Sequence, residues 1–116
     1  MTKTIRSLMV LAAAVCLASA VCLAQSGGEA TYKARCAMCH GATGTPSAGM
    51  AKSMGIKAVS APEIKNLTVA QMIAAVKNGK GKMKPIAGLT DTQIKEAVEF
   101  YRGLHMLNPQ PLPPGQ

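Results

Sequence analysis

The sequence predicts an all-α domain, and two observations carry that prediction. Three stretches open with Ser or Thr followed three residues later by Glu or Gln: Ser26/Glu29, Thr68/Gln71 and Thr90/Gln93. At that spacing the hydroxyl can accept the N3 amide while the N3 side chain returns to the N-cap amide. In addition, no segment shows the apolar–polar alternation of a half-buried strand.

The first helix is expected over EATYKARCAMC, behind Ser26. The second is TVAQMIAAVKNG, where Val69, Met72, Ile73 and Val76 form one apolar stripe at helical period and Gly79 suits the C-terminal stop. The third is TDTQIKEAVEFYRGL, with a stripe of Ile94, Ala97, Val98 and Tyr101 continued by Leu104. Leu67 to Met72 and Leu89 to Ile94 have the spacing of hydrophobic staples. Between the first two helices, HGATGTPSAGMAKSMGIKAVSAPEIKN is rich in Gly, Ala and Ser. It reads as a long loop with one helical turn around Ala48–Met54, and loops of that length usually wrap something or serve a function. From Asn108 the tail NPQPLPPGQ holds four prolines and is expected to be extended and disordered over 108–116.

The N-terminus has the composition of a secretory leader. Lys3 and Arg6 form a positive region, and an uncharged apolar run follows from Leu8 to Ala24. Cys22 and Ala24 have cleavage-site spacing, which places a signal peptide at 1–24 and a domain at 25–107; Ala18 and Ala20 offer a second site. The competing expectation is an uncleaved anchor, the run being near the lower length limit for a span. Lipidation at Cys22 is disfavoured by Val21 before it. Cleavage removes Cys16 and Cys22, leaving Cys36 and Cys39 in an oxidising compartment. It also lowers the net charge from +8 to +6 with the loss of Lys3 and Arg6. A surplus of that size suggests an acidic partner surface. Nucleic-acid binding is not expected of an exported chain whose lysines have no interleaved aromatics.

The remaining domain holds three aromatic residues, Tyr32, Phe100 and Tyr101, and no Trp. A domain this small buries little apolar surface by itself, and a large bound apolar group would make up the deficit.

Cys36 and Cys39 close too small a loop to staple a fold. They belong to CAMCH, Cys36 to His40. On a helix, Cys36, Cys39 and His40 lie at i, i+3 and i+4 and share one face. A thiol–disulfide exchange centre would want a βαβ scaffold, which this chain has no strands to build. Adjacent Cys39 and His40 are poorly spaced for one zinc ion, and the only other histidine is His105. C-x-x-C-H is the attachment pattern of a c-type haem. The two thiols form thioethers with the porphyrin vinyl groups, and the histidine binds the iron. Covalent attachment after export fits the leader.

A second axial ligand would come from Met38, Met50, Met54, Met72, Met83, Met106 or His105. Met72 lies on a core stripe, and Met38 faces away inside the motif. Met50 and Met54 stay open. Met83 is favoured, because it lies in NGKGKMKPIAG, a Gly- and Lys-rich loop where a core residue is unexpected.

Taken together, CAMCHG, NGKGKMKP and LTDTQIKEAVEFYRGL resemble the small class I monohaem cytochromes c of bacteria, over roughly Gly28 to Leu104. The resemblance implies three to four helices around one covalently bound haem, with the first and last helices crossing. Gly28 and Tyr32 in the first helix and Phe100 or Tyr101 in the last stand at the matching positions. The chain departs from the family where Lys84 intervenes between Met83 and Pro85. Pro46 is the nearest counterpart of the proline whose neighbourhood supplies a carbonyl to the axial histidine, and some backbone carbonyl is expected to accept from the His40 ring.

The function expected is one-electron transfer by a haem with His40/Met83 ligation, without catalysis. A five-coordinate haem acting as gas sensor or peroxidase-like protein is the alternative. Lys77, Lys80, Lys82 and Lys84 cluster around Met83. They read either as a solvated helix end or as a basic rim that docks acidic redox proteins such as an oxidase, reductase or dehydrogenase. The expected location is the periplasm, with membrane attachment only if the leader is kept.

Overall fold

The computed structural model describes residues 27–107. Residues 1–26, which include the leader expected at 1–24 and Ser26 of the first capping signature, and the proline-rich tail from Asn108 lie outside the described residues. Six helical segments follow in order: α1 (27–35), α2 (Ala37–His40), α3 (Ala48–Met54), α4 (Pro62–Lys65), α5 (Val69–Asn78) and α6 (Asp91–Leu107). No strand is present among the described residues; one isolated bridge joins Lys80 and Met83. The chain is all-α, as its capping signatures anticipate.

Two of the three capping boxes lie within the described residues, and both form. At α5, the Thr68 amide donates to Gln71 Oε1 at 2.8 Å and the Gln71 amide to Thr68 Oγ1 at 3.1 Å. At α6, Thr90 and Gln93 repeat the exchange at 2.9 and 3.2 Å. Each box satisfies two of the four amides that a helix start leaves unpaired. Leu67 and Leu89, just before the caps, pack onto the cluster of Met72, Ile94 and Val98.

α1 and α2 are nearly one helix. Cys36 breaks the regular pattern with φ −120° and ψ −38°, yet its amide still donates to Tyr32 O at 2.8 Å and the His40 amide to Cys36 O at 3.0 Å.

α1 crosses α6 at Gly28. A Cβ there would lie 2.4 Å from the Glu96 carbonyl oxygen, so only glycine lets the two backbones approach this closely. One turn further on, the Tyr32 ring meets both candidates on α6. Its centroid is 5.4 Å from that of Phe100 and 5.8 Å from that of Tyr101.

The 41–66 segment is more structured than a loop with a single turn. Ser47 caps α3 by accepting the Met50 amide, and Gly55 ends it in the left-handed region. α4 was not anticipated. It starts on Pro62 at its first position, with Glu63 in its first turn and Lys65 in its last. A single turn shows no periodicity, so apolar spacing could not reveal it.

The core has two parts. Tyr32, Val59 and Leu104 form one; Met72, Ile94 and Val98 form the other. Ile64 and Tyr101 pack against both. With Ala97, the six residues of the two clusters are the buried apolar side chains among the described residues; Ile64 and Tyr101 are half-buried. Between the two parts and the 79–90 loop lies a cavity.

Candidate haem site

The cavity measures about 590 Å³, within the ~300–1,000 Å³ typical of cofactor sites. Cys36, Cys39 and His40 line one wall and Met83 lines another. The shared helical face anticipated for CAMCH is therefore turned toward one space. Met38 points away and is 89% exposed.

The first wall is rigid in construction. His40 is half-buried, and its ring meets the edge of Tyr101 with centroids 5.4 Å apart. Burial pulls the His40 pKa below its ordinary value. The ring is thus largely neutral at pH 7, the form in which imidazole binds metal. Burial pushes the Cys36 thiol up, with Arg35 opposing it weakly. Cys36 and Cys39 are not joined in a disulfide.

His40 Nδ1 is buried without a hydrogen-bond partner among the described residues, and neither Pro46 nor a neighbour supplies one. The Thr45–Pro46 stretch is instead drawn close to Gly41, whose Cβ would lie 1.9 Å from Thr45 O.

The part of the cavity lined by Met83 is a loop. Lys80 and Met83 exchange backbone hydrogen bonds, both at 2.9 Å, across Gly81 and Lys82. Gly79 adopts φ 78°, and a Cβ on it would meet Met83 O at 2.7 Å and the Pro85 ring at 2.9 Å. Pro85, although displaced from Met83 by Lys84, still shapes the loop from within. Three further ties hold it to the body: the Ile86 amide donates to Val76 O at 2.9 Å, Arg35 to Ala87 O at 2.8 Å, and Lys82 Nζ to Ser53 O at 2.6 Å.

Of the other methionines considered, Met54 and Met72 also line the cavity, Met72 as a buried member of the second cluster, whereas Met50 does not. His105 is turned onto the Arg102 carbonyl of its own helix. Among the four lysines singled out, Lys80, Lys82 and Lys84 border the cavity. Lys77 does not, and its Nζ lies 2.9 Å from Asp91 Oδ1. Sequence reasoning missed Arg35 and Lys57, which also line the cavity. Arg35 adjoins the motif and could have been suspected; Lys57 carries no local signal.

The donor set passes a chemical test for a covalently held porphyrin: two thiols, a neutral imidazole and a thioether surround one largely apolar space. Among the described residues no group of three or more His, Cys, Asp and Glu side chains is placed to hold a bare metal ion. The arrangement defines a c-type haem protein.

Comparison with known proteins agrees. The profile of the family described as "Cytochrome C oxidase, cbb3-type, subunit III" matches residues 24–100. The cytochrome c-555 of Chlorobaculum thiosulfatiphilum is 42% identical over 84 residues, covering 66% of this chain and 91% of that one. The cytochrome c-555 of Chlorobaculum tepidum is 34% identical over 111 residues, covering 89% and 97%. The chain belongs to the cytochrome c family, and with that membership comes covalently bound haem c and its iron.

Proposed function

We propose that this cytochrome c is a periplasmic one-electron carrier whose iron is held between His40 and Met83. The observation that carries the reading is the convergence of Cys36, Cys39, His40 and Met83 on one cavity. Haem c, when bound, supplies the reversible ferrous–ferric couple. Cys36 and Cys39 would tether it, each thiol adding its S–H across a vinyl C=C of the porphyrin to leave a thioether. His40 offers a neutral imidazole from a wall buried against Tyr101. Met83 offers a soft thioether, which favours the reduced state and raises the potential. Were His40 and Met83 both to bind the iron, no coordination position would be left for a substrate, which is why we read the protein as a carrier. Arg35 and Lys57 line the cavity and would supply positive charge to the carboxylates of a bound porphyrin.

The docking surface we propose is narrower than the four lysines of the sequence pattern. Among the described residues, Lys80, Lys82 and Lys84 have no carboxylate within ion-pair distance, while Lys77 is matched by Asp91. Unmatched charge therefore concentrates beside Met83, where an acidic redox partner would be steered. Among the described residues no helix is long and apolar enough to cross a membrane. Periplasmic placement rests on the leader-like N-terminus.

Carbon monoxide tests the ligation. The reduced holoprotein is expected to bind it poorly at neutral pH and, when oxidised, to show the near-infrared sulfur–iron band. Ready carbon monoxide binding would select the five-coordinate sensor or peroxidase-like reading. Reduction rates by acidic partners are expected to fall with added salt; a flat profile would remove the basic rim.

A further inference from the structure

The turn that carries Met83 is closed upon itself. Lys80 and Met83 exchange backbone hydrogen bonds across two central residues. Gly81, the first of these, adopts φ 58°, while Lys82 keeps a negative φ. That is the pattern of a type II′ turn, in which only the first central position needs the freedom of glycine. Four residues joined in this way move as one piece, so whatever holds Lys82 also restrains Met83.

The piece is held unevenly. At its base, Gly79 lies against Met83 O and the Pro85 ring. At its tip there is open space: a Cβ on Gly81 would meet nothing within 4 Å. Among the described residues one hydrogen bond ties the tip to another element, from Lys82 Nζ to Ser53 O at 2.6 Å. Ser53 lies in the last turn of α3, where carbonyls have no amide of their own helix to accept. No other backbone amide of the described residues reaches this carbonyl, and a lysine is a suitable donor at a helix C-terminus. The residues that directly follow the two ends of the bond, Met54 and Met83, both line the cavity. The bond thus joins two parts of the lining that are 29 positions apart in sequence. Lys80 and Lys84 differ. Among the described residues neither makes a side-chain hydrogen bond or an ion pair.

We propose that Lys82 is a positioning residue for Met83: its ammonium, by holding the Ser53 carbonyl, fixes the tip of the turn against α3 and so restrains the departure of the Met83 thioether. The inference deepens the proposed function and rests on Met83 being an iron ligand. It also divides the three unmatched lysines. Lys80 and Lys84 are free to meet a partner, whereas Lys82 is engaged within the protein.

The test is a titration of the oxidised holoprotein with imidazole, a neutral probe, followed by loss of the sulfur–iron band. Imidazole binds only the fraction of molecules in which Met83 has left, so its apparent affinity reports that fraction. Lys82→Leu, which loses the ammonium without adding a thioether, is expected to bind imidazole about threefold to tenfold more tightly than the wild type. Lys84→Leu removes the same charge two positions away and is expected to leave the affinity as it was. Lys82→Arg keeps a donor and is expected to restore most of the effect. Helical unfolding should be the same in all three, because the bond lies outside the core. An unmoved affinity in Lys82→Leu, an equal change in Lys84→Leu, or no rescue by Lys82→Arg would overturn the proposal. Amide hydrogen exchange reads the turn directly. In Lys82→Leu the Lys80 and Met83 amides should exchange faster while those of α5 and α6 keep their rates; unchanged exchange at Lys80 and Met83 would also overturn it. If Met83→Ala kept the sulfur–iron band, the ligand assignment would fall and the positioning role with it. A band lost in Met83→Ala, with imidazole affinity unmoved in Lys82→Leu, would remove the positioning role alone.

Discussion

The two walls of the cavity are built on different principles. The cysteine–histidine wall is a helix crossing in which Gly28 rests on the Glu96 backbone and Tyr32 is buried between Phe100 and Tyr101. The methionine wall is a twelve-residue connection, 79–90, whose side chains are all exposed or half-buried. Main-chain ties and two long cationic side chains hold it in place. Packing resists displacement in every direction, whereas a handful of hydrogen bonds resists it only along their own lines. The histidine side should therefore fail only with the whole domain, and the methionine side can yield alone.

The largest test of this contrast is Gly28→Val. Overpacking costs about 1–3 kcal/mol and occasionally more. A Cβ 2.4 Å from a backbone oxygen has no flexible neighbour to push aside. Global unfolding of the holoprotein should shift by at least that much, with both walls lost together in a single transition seen by circular dichroism.

Next in size is Met83→Ala. The potential should fall by on the order of a tenth of a volt, and the sulfur–iron band should vanish with helical content unchanged. A band that survives would move the ligand to Met54, the other thioether side chain on the cavity outside the core.

Gly79→Ala should act more gently and on one wall only. With φ 78° and ψ 164°, Gly79 sits in a region open essentially to glycine alone, where a residue with a Cβ costs about 1–3 kcal/mol, and the added methyl would also press on Met83 O and the Pro85 ring. The band should disappear at lower denaturant than the helical signal does, and coincident transitions would contradict the independence of the two walls.

Alkaline pH probes the histidine side instead. Burial pushes the Tyr101 phenol up to about 12, and Tyr32 is raised as well. Their unfolded values lie near 10. Between those limits the unfolded chain releases protons that the native state keeps, so stability falls as pH rises. The contribution of the neutral phenols is complete below about pH 10 and is lost as pH passes the raised native values. Phenolate absorbance and helical content should change together in that window; ionisation well before unfolding would show that the rings are not enclosed.

The smallest effect belongs to Lys77→Gln. An exposed pair with Asp91 contributes about 0–1 kcal/mol. Because that charge is already matched, the salt dependence of partner reduction should change less than it does for Lys84→Gln.

The same contrast governs what the sequence could reveal. The helices that frame the cavity announce themselves through local chemistry: Thr68 and Thr90 reach three residues ahead, and Cys36 to His40 is a single helical turn. Such signals are short-range and survive translation into one dimension. The ties that shape the methionine wall are not. Lys82 to Ser53 spans 29 positions, Arg35 to Ala87 spans 52, and Lys77 to Asp91 spans 14. No periodicity foretells them, which is why Lys77 was grouped with lysines it does not join at the cavity. α4 stayed hidden because one turn cannot display a period. The absent acceptor on His40 Nδ1 is a matter of where the 41–46 turn runs in space, which composition does not encode.

The meeting point of the first and last helices has a consequence for divergence. What Gly28 touches is a main-chain oxygen, and every one of the twenty amino acids carries that same atom. The tightest contacts at position 28 thus place little demand on the side chain at position 96, proline excepted, whereas any side chain at position 28 forces the backbones apart. The angle between the two helices is inherited through the shape of one partner and is indifferent to the chemistry of the other.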